Sequence, residues 1–189
     1  MVEQADCANK LQVLWKNVGT LLYSYYYIQA FDDKQNETQG LVIPKEIPEV
    51  SKRIAYREFW KHWIWQNQII VVLEVYRLVV DETRETWTLD KHKNYLAQNF
   101  GHKIKSKSFS KKDERWQRIK TYRNKALAHS EPEFDSLELM MQDAYSYVAD
   151  IVDKFNEMAD FSDPSLVFTK GLLKQIEDEC RKAIDLMVK

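Results

Sequence analysis

The string Arg123-Asn124-Lys125-Ala126-Leu127-Ala128-His129 gathers a guanidinium, a carboxamide and an imidazole within seven residues. Each group brings a different capacity. An imidazole with an unperturbed pKa of about 6.5 takes up or releases a proton near neutrality. A planar, permanently charged guanidinium grips an oxyanion or phosphate with two parallel N–H groups. An amide between them orients either one. No metal-ligand spacing accompanies this set. Cys7 and Cys180 stand far apart, and no Glu-x-x-His occurs, which removes di-iron bundle chemistry. Glu58 and His62 stand four residues apart, a spacing some metal pairs use, but nothing further supports a metal there. No metal and no cofactor is expected.

The element that must position these groups is a helix. A helical pattern runs through Asp113-Glu114-Arg115-Trp116-Gln117-Arg118-Ile119, and Pro132 stops any helix soon after His129. Ser110-Lys111-Lys112-Asp113 has the form of a capping box that opens it. With about 100° per residue, Arg123 falls in the same stripe as Trp116, Ile119 and Leu127, flanked by Ala126. A guanidinium buried there without a partner costs several kcal/mol, so Arg123 must meet a carboxylate, face a groove or hold a phosphate. His129 lies roughly 120° away, beside Tyr122, Lys125, Arg118 and Arg115. The two side chains converge only if the helix unwinds at Ala128, or if a second copy of the chain supplies the missing partner across a two-fold axis.

Late in an otherwise helical chain, the string RNKALAH resembles the signature of the HEPN superfamily (higher eukaryotes and prokaryotes nucleotide-binding), in its abortive-infection AbiU-like branch. Many members are metal-independent ribonucleases of toxin–antitoxin and phage-defence systems. Their Arg, polar residue and His correspond to Arg123, Asn124 and His129. The resemblance implies a homodimer whose site straddles two subunits, an RNA substrate and an antitoxin protein as possible partner. Joined to the side-chain chemistry, it implies that His129 takes the proton from a 2′-hydroxyl of single-stranded RNA, that Arg123 stabilises the phosphate under attack, and that Asn124 orients substrate or His129. Where one sub-pattern of the superfamily carries a Tyr two residues after the His, this chain has Glu131. The same residues acting only as anion ligands would make a non-catalytic RNA or nucleotide binding module. A third alternative is a helical interaction protein in which Arg123 and His129 serve structure, capping or pairing at a helix end.

Charge supports an anionic ligand. The net charge is −1, yet residues 103 to 125 carry ten Lys and Arg against Asp113 and Glu114, while residues 126 to 189 hold 6 basic and 14 acidic side chains. A basic block abutting the motif is the footprint of a polyanion site, with Lys111, Lys112, Arg115, Arg118, Tyr122 and Lys125 as its RNA-binding residues. Lys103 to Ser110 has loop composition, and the plain alternative there is a solvated linker. An acidic partner protein would use the same surface.

The remaining chain reads as scaffold. Its 189 residues suit a single domain, and four Gly with four Pro favour long helices. From Gln4 to Ala30, Leu11, Leu14, Trp15, Val18, Leu21, Leu22 and Tyr25 form a helical stripe, and Tyr25-Tyr26-Tyr27 reads as core. Residues 31–50 read as a loop or insertion. From Glu49 to Glu85 apolar residues crowd nearly all faces, but Lys61, His62, Glu74 and Arg77 interrupt them, so no membrane span is expected. Trp63 and Trp65 suit either core or a subunit interface. A shorter helix runs from near Thr88 to Gly101, another follows Pro132 with Leu139, Met140, Ala144, Tyr147, Val148, Ile151 and Phe155 inward, Asp163-Pro164 marks a boundary, and a last helix buries Leu172, Leu173, Ile176, Cys180, Ile184 and Met187. The expected fold is all-α, an up-and-down helical bundle of five to six helices. The N-terminus lacks a basic region followed by an apolar core, and the two cysteines read as reduced thiols, so a cytoplasmic protein is expected.

Overall fold

Lysine, leucine and glutamate, all good helix formers, are the commonest residues of the chain, and segments in which apolar residues recur every three or four positions coil into helices. The computed structural model describes residues 2–37, 50–128 and 134–187. Among the described residues all regular structure is helical: α1 (Val2–Glu37), α2 (Val50–Val75), α3 (Leu89–Phe100), α4 (Glu114–Ala128), α5 (Phe134–Ser162) and α6 (Lys170–Met187). A π-helical segment, Tyr76–Val80, continues α2, and a 3-10 turn, Pro164–Leu166, follows α5. The all-α class and the number of helices agree with the expectation from sequence. No helix among the described residues is long and apolar enough to cross a membrane.

The chain divides into two compact units, Met1–Leu21 with Val71–Phe168, and Leu22–Ile70 with Thr169–Lys189. In the first, the core is built from Leu11, Leu14 and Val18 of α1, Leu78 and Val80 of the π segment, Leu89 and Leu96 of α3, Trp116 and Ile119 of α4, and Ala144, Ile151 and Phe155 of α5, all buried. Each such large apolar side chain contributes about 1.5–3 kcal/mol by leaving water. α4 packs against both α5 and the π segment, and α3 packs against the same two elements. Local chemistry sets the ends. The Thr88 side chain accepts a hydrogen bond from the Lys91 amide and caps α3, and Gly101 closes it in the left-handed conformation at φ 65°. Asp163 caps the 3-10 turn through the Ser165 amide, with Pro164 at its first position.

In the second unit, Phe31 stacks on Trp60 with ring centres 4.9 Å apart. These two rings, Ala30 and Ile184 form a buried cluster against which Tyr27, Tyr56, Trp63 and Ile64 pack. Trp63 is thus a core residue of this unit, while Trp65 stacks on His62 with centroids 5.7 Å apart. α1 runs seven residues beyond Ala30, to Glu37, which corrects the expected loop for residues 31–37; residues 38–49 lie outside the described part. The reason is tertiary. Asp33 accepts from Arg181 at 2.6 Å and Lys34 donates to Asp185 at 2.7 Å, so polar residues that look like a loop hold helix α1 to α6. In α6, Ile176, Cys180 and Ile184 are buried as expected, whereas Met187 is exposed.

Candidate active site

The helix that carries the motif begins at Asp113, not at the Ser110 of the expected capping box. Asp113 Oδ1 accepts from the Arg115 amide at 2.9 Å, and its carbonyl accepts from the Gln117 amide at 3.2 Å. Ser110 Oγ instead accepts from the Lys112 amide at 3.2 Å, one turn earlier. A carboxylate at this position satisfies an otherwise orphaned amide and complements the helix dipole.

From there the periodicity works as expected. Trp116 and Ile119 are buried, and Arg123, in the same stripe, is half-buried. Its guanidinium lies 4.9 Å from the centre of the Tyr76 ring on the π segment. Such a contact contributes about 0.5–2 kcal/mol, more as water is excluded. An aromatic face is a neighbour that the helical wheel does not foresee. α4 is described to Ala128. The side chains of Tyr122, Asn124 and Lys125, and His129 altogether, lie outside the described residues, and so does any approach of His129 to Arg123.

Four of the basic residues of α4 and the turn before it, Lys111, Arg115, Arg118 and Lys120, are tied to carboxylates. Arg115 forks onto Asp113 through Nε and Nη2, the latter at 2.6 Å. It also donates to Ser146 Oγ at 2.8 Å and lies 4.6 Å from the centre of the Tyr147 ring. Arg118 forks onto Asp143 at 2.6 and 2.8 Å, with Glu114 further off at 3.4 Å. Lys111 pairs with Glu82, and Lys120 reaches the same carboxylate at 3.4 Å. Lys112 is exposed and has no ion-pair partner among the described residues. The Arg115 guanidinium pulls the Asp113 carboxyl down to about 2. Burial, with the charge of Asp113, pushes the Tyr147 phenol up to about 12. A two-pronged Arg–carboxylate contact on a buried acid such as Asp143 is the strong kind, whereas the Arg118–Glu114 contact is solvent-screened and adds little.

The segment between α3 and α4 is anchored rather than loose. Glu157 of α5 accepts from the Lys105 amide, the Ser106 amide at 2.9 Å and the Ser106 hydroxyl. Asp90 of α3 accepts from the Phe109 amide at 2.8 Å and from Lys154 Nζ at 2.7 Å. Lys154 is 1% exposed, with its ammonium 3.7 Å from the centre of the Phe109 ring. Burial alone would raise the Glu157 carboxyl, but the Ser106 hydroxyl and the two amides outweigh it, and its pKa is lowered. Burial lowers the pKa of Lys154 against the opposing pull of Asp90. A solvated linker does not describe this backbone.

The other titratable candidates have structural explanations. His92 is fully buried, accepts from Trp87 Nε1 at 3.1 Å through Nδ1, and leaves Nε2 without a partner. Burial, reinforced by Lys10, lowers it to about 4, so it is neutral. His62 Nε2 meets Gln66 at 2.9 Å and Glu58 meets Lys61 at 2.9 Å, which separates the i, i+4 pair. Cys7 and Cys180 are free and buried, with the Cys180 thiol pushed up to about 12 by burial. No three His, Cys, Asp or Glu side chains gather as a metal site among the described residues.

Sequence reasoning missed Tyr76, Asp143, Glu157 and Asp90. Tyr76 carries no local signal. For the acids a signal existed in the surplus of carboxylates after residue 126, some of which had to sit against the basic block. Compared with known proteins, the chain matches no family model, no curated protein and no solved structure.

Proposed function

We propose that the chain is a metal-independent endoribonuclease of the toxin or phage-defence type, acting on single-stranded RNA. The observation that carries the proposal is the Arg123-Asn124-Lys125-Ala126-Leu127-Ala128-His129 string, whose residues 123 to 128 form the final turns of α4, with Arg123 half-buried there. His129 takes the proton of the 2′-hydroxyl, the 2′-oxygen bonds to phosphorus, and the bond to the 5′-oxygen breaks, its electron pair leaving with that oxygen, which takes a proton from water. Arg123 stabilises the charge that builds on the phosphoryl oxygens, and Asn124 orients substrate or base. The products carry a 2′,3′-cyclic phosphate and a 5′-hydroxyl. The proposal includes a homodimer that pairs Arg123 of one copy with His129 of the other across one cleft, an antitoxin protein as possible partner, and a place in the cytoplasm. These features are supported by the resemblance of the string to the HEPN signature and by the adjoining basic block.

One contact favours a second reading. Arg123 against Tyr76 is what an arginine held for packing looks like, and in that case the chain is an RNA or nucleotide binding module without catalysis, or a helical interaction protein. Incubating the purified chain with end-labelled RNA in the presence of chelator separates the readings. Cleavage lost in His129→Ala supports the ribonuclease. Cleavage that persists in His129→Ala, or that requires magnesium, overturns it.

A further inference from the structure

We infer that the anchored segment between α3 and α4 is a track for a single nucleic-acid strand, with Phe161 and His102 as a base-stacking platform at its head and Lys103, Lys105 and Lys107 as its phosphate contacts. The inference shares the expectation of an RNA ligand with the proposed function, but not its chemistry.

Exposure along the segment alternates. Lys103, Lys105 and Lys107 are exposed, Ile104 is buried and Ser106 turns inward to Glu157 at a bend. In an extended backbone alternate side chains project to one side about 6–7 Å apart, which applies to Lys103 and Lys105, whereas Lys107 follows the bend at Ser106. None of the three ammonium groups has an ion-pair partner among the described residues, unlike Lys111, Arg115, Arg118 and Lys120. Glu157 and Asp90 hold the backbone of this segment through its amides, so the stems of the lysines start from a fixed path; Glu157 attracts Lys105 but forms no ion pair with it. Less ordering is then needed when a ligand binds.

At the head of this row the His102 ring stacks on Phe161, centroids 3.7 Å apart and planes within 11°. Phe161 is 45% exposed, so a flat aromatic surface reaches solvent one residue from Lys103. Aromatic rings combined with a line of cations are what binds a strand without reading its sequence, since every base has a flat face and every link a phosphate. An acidic protein segment matches the lysines but offers no flat ring. Asp150 and Asp153 border a cavity of about 420 Å³ that Lys107 also lines, so Lys103 and Lys105 carry the stronger attraction.

The test uses fluorescence anisotropy on the whole chain with a labelled 12-mer of oligothymidylate, which has no 2′-hydroxyl to cleave, and with the matching oligouridylate. Both are expected to bind. The triple change Lys103→Gln, Lys105→Gln, Lys107→Gln should weaken binding on the order of a hundredfold at 50 mM salt and flatten the salt slope by about 2. Phe161→Leu should weaken it by about fivefold or more with the slope unchanged. Circular dichroism checks that the variants fold, and Lys105→Glu serves as a single-site alternative with the same direction of effect. The track is overturned if neither strand binds, if these lysine variants bind as the parent does, or if polyglutamate competes as well as the oligonucleotide while Phe161→Leu has no effect. Cleavage of RNA with unaltered strand affinity in the triple variant sinks the track and leaves the ribonuclease. Strand binding through these residues without cleavage does the reverse.

Discussion

Two neighbouring stretches of this chain are both rich in positive charge and differ in what that charge is free to do. On α4 and the turn before it, Arg115, Arg118, Lys111 and Lys120 are each matched to a carboxylate supplied by Asp113, Asp143 or Glu82. In the segment just upstream the carboxylates of Glu157 and Asp90 are directed at backbone amides, a hydroxyl and the buried Lys154, and the exposed lysines are left to solvent. Counting cations therefore locates a basic region but not the part of it available to a polyanion. Availability depends on whether the neighbouring acids take side chains or backbone as their partners.

That contrast can be tested at its strongest point by removing Lys154. Its ammonium is buried and satisfies Asp90, so Lys154→Ala should destabilise the chain by about 3 kcal/mol in urea unfolding, because a carboxylate loses its charged partner. An unchanged midpoint would mean that the segment is not anchored through Asp90. Next in size is cleavage. His129→Ala and Arg123→Ala should each lower kcat by about 10²-fold or more, with RNA binding weakened more by the Arg change, whereas Asn124→Ala should cost less. The lysine variants should act on KM alone. Loss of kcat in the lysine variants would merge the two regions into one site.

Acid offers a third test. The folded pKa of His92 is held at about 4, below its ordinary value, so between pH 6.5 and 4 the unfolded chain binds a proton that the folded chain refuses. This contribution to stability is complete above about pH 6.5 and should fall by about 3 kcal/mol as pH drops toward 4. His92→Gln should flatten that part of the profile. Asp113 keeps its charge on Arg115 down to a pH of about 2, so acid should loosen α3, which carries His92, well before it frees Arg115. Hydrogen exchange at pH 5 that rises first at α4 would contradict this order. The smallest effect expected is that of Arg118→Gln, which should leave strand affinity within about twofold because that guanidinium is already forked onto Asp143. A large loss there would restore the α4 cations as the binding surface.

Those features that depend on neighbours in the chain were legible in the sequence. Thr88 and Gly101 bracket α3, Asp163 and Pro164 mark a boundary after α5, although they open a 3-10 turn and α6 itself starts only at Lys170, and the wheel places Arg123 with Trp116 and Ile119, because capping and periodicity act over one or two turns. The features that the sequence did not disclose depend on groups brought from afar. Asp143 reaches Arg118 from 25 residues away and Glu157 reaches Ser106 from 51. Asp33 and Lys34, on the last turns of α1, bond to residues more than a hundred positions later. In each case a polar residue looks free in the linear string, and only folding shows which opposite charge it has taken.

The π-helical segment after α2 has a consequence for how this chain tolerates changes in length. Its hydrogen bonds skip an extra residue, as in the Asp81 amide to Tyr76 carbonyl bond of 2.9 Å. The segment therefore holds more residues per turn than an α-helix can. A π turn accommodates one residue more than an α turn over roughly the same rotation and rise, so deleting one residue between Arg77 and Val80 would let ordinary α geometry resume and leave the chain downstream at nearly the same angle relative to α2. The cost would be the loss of one of the buried side chains Leu78, Val79 and Val80, with Tyr76 left beside Arg123. A single inserted alanine elsewhere in α2 would add a second mismatch of the same kind. In this stretch the molecule carries one residue more than an α-helix needs, and shortening it by one should be less harmful than a deletion in the middle of α2.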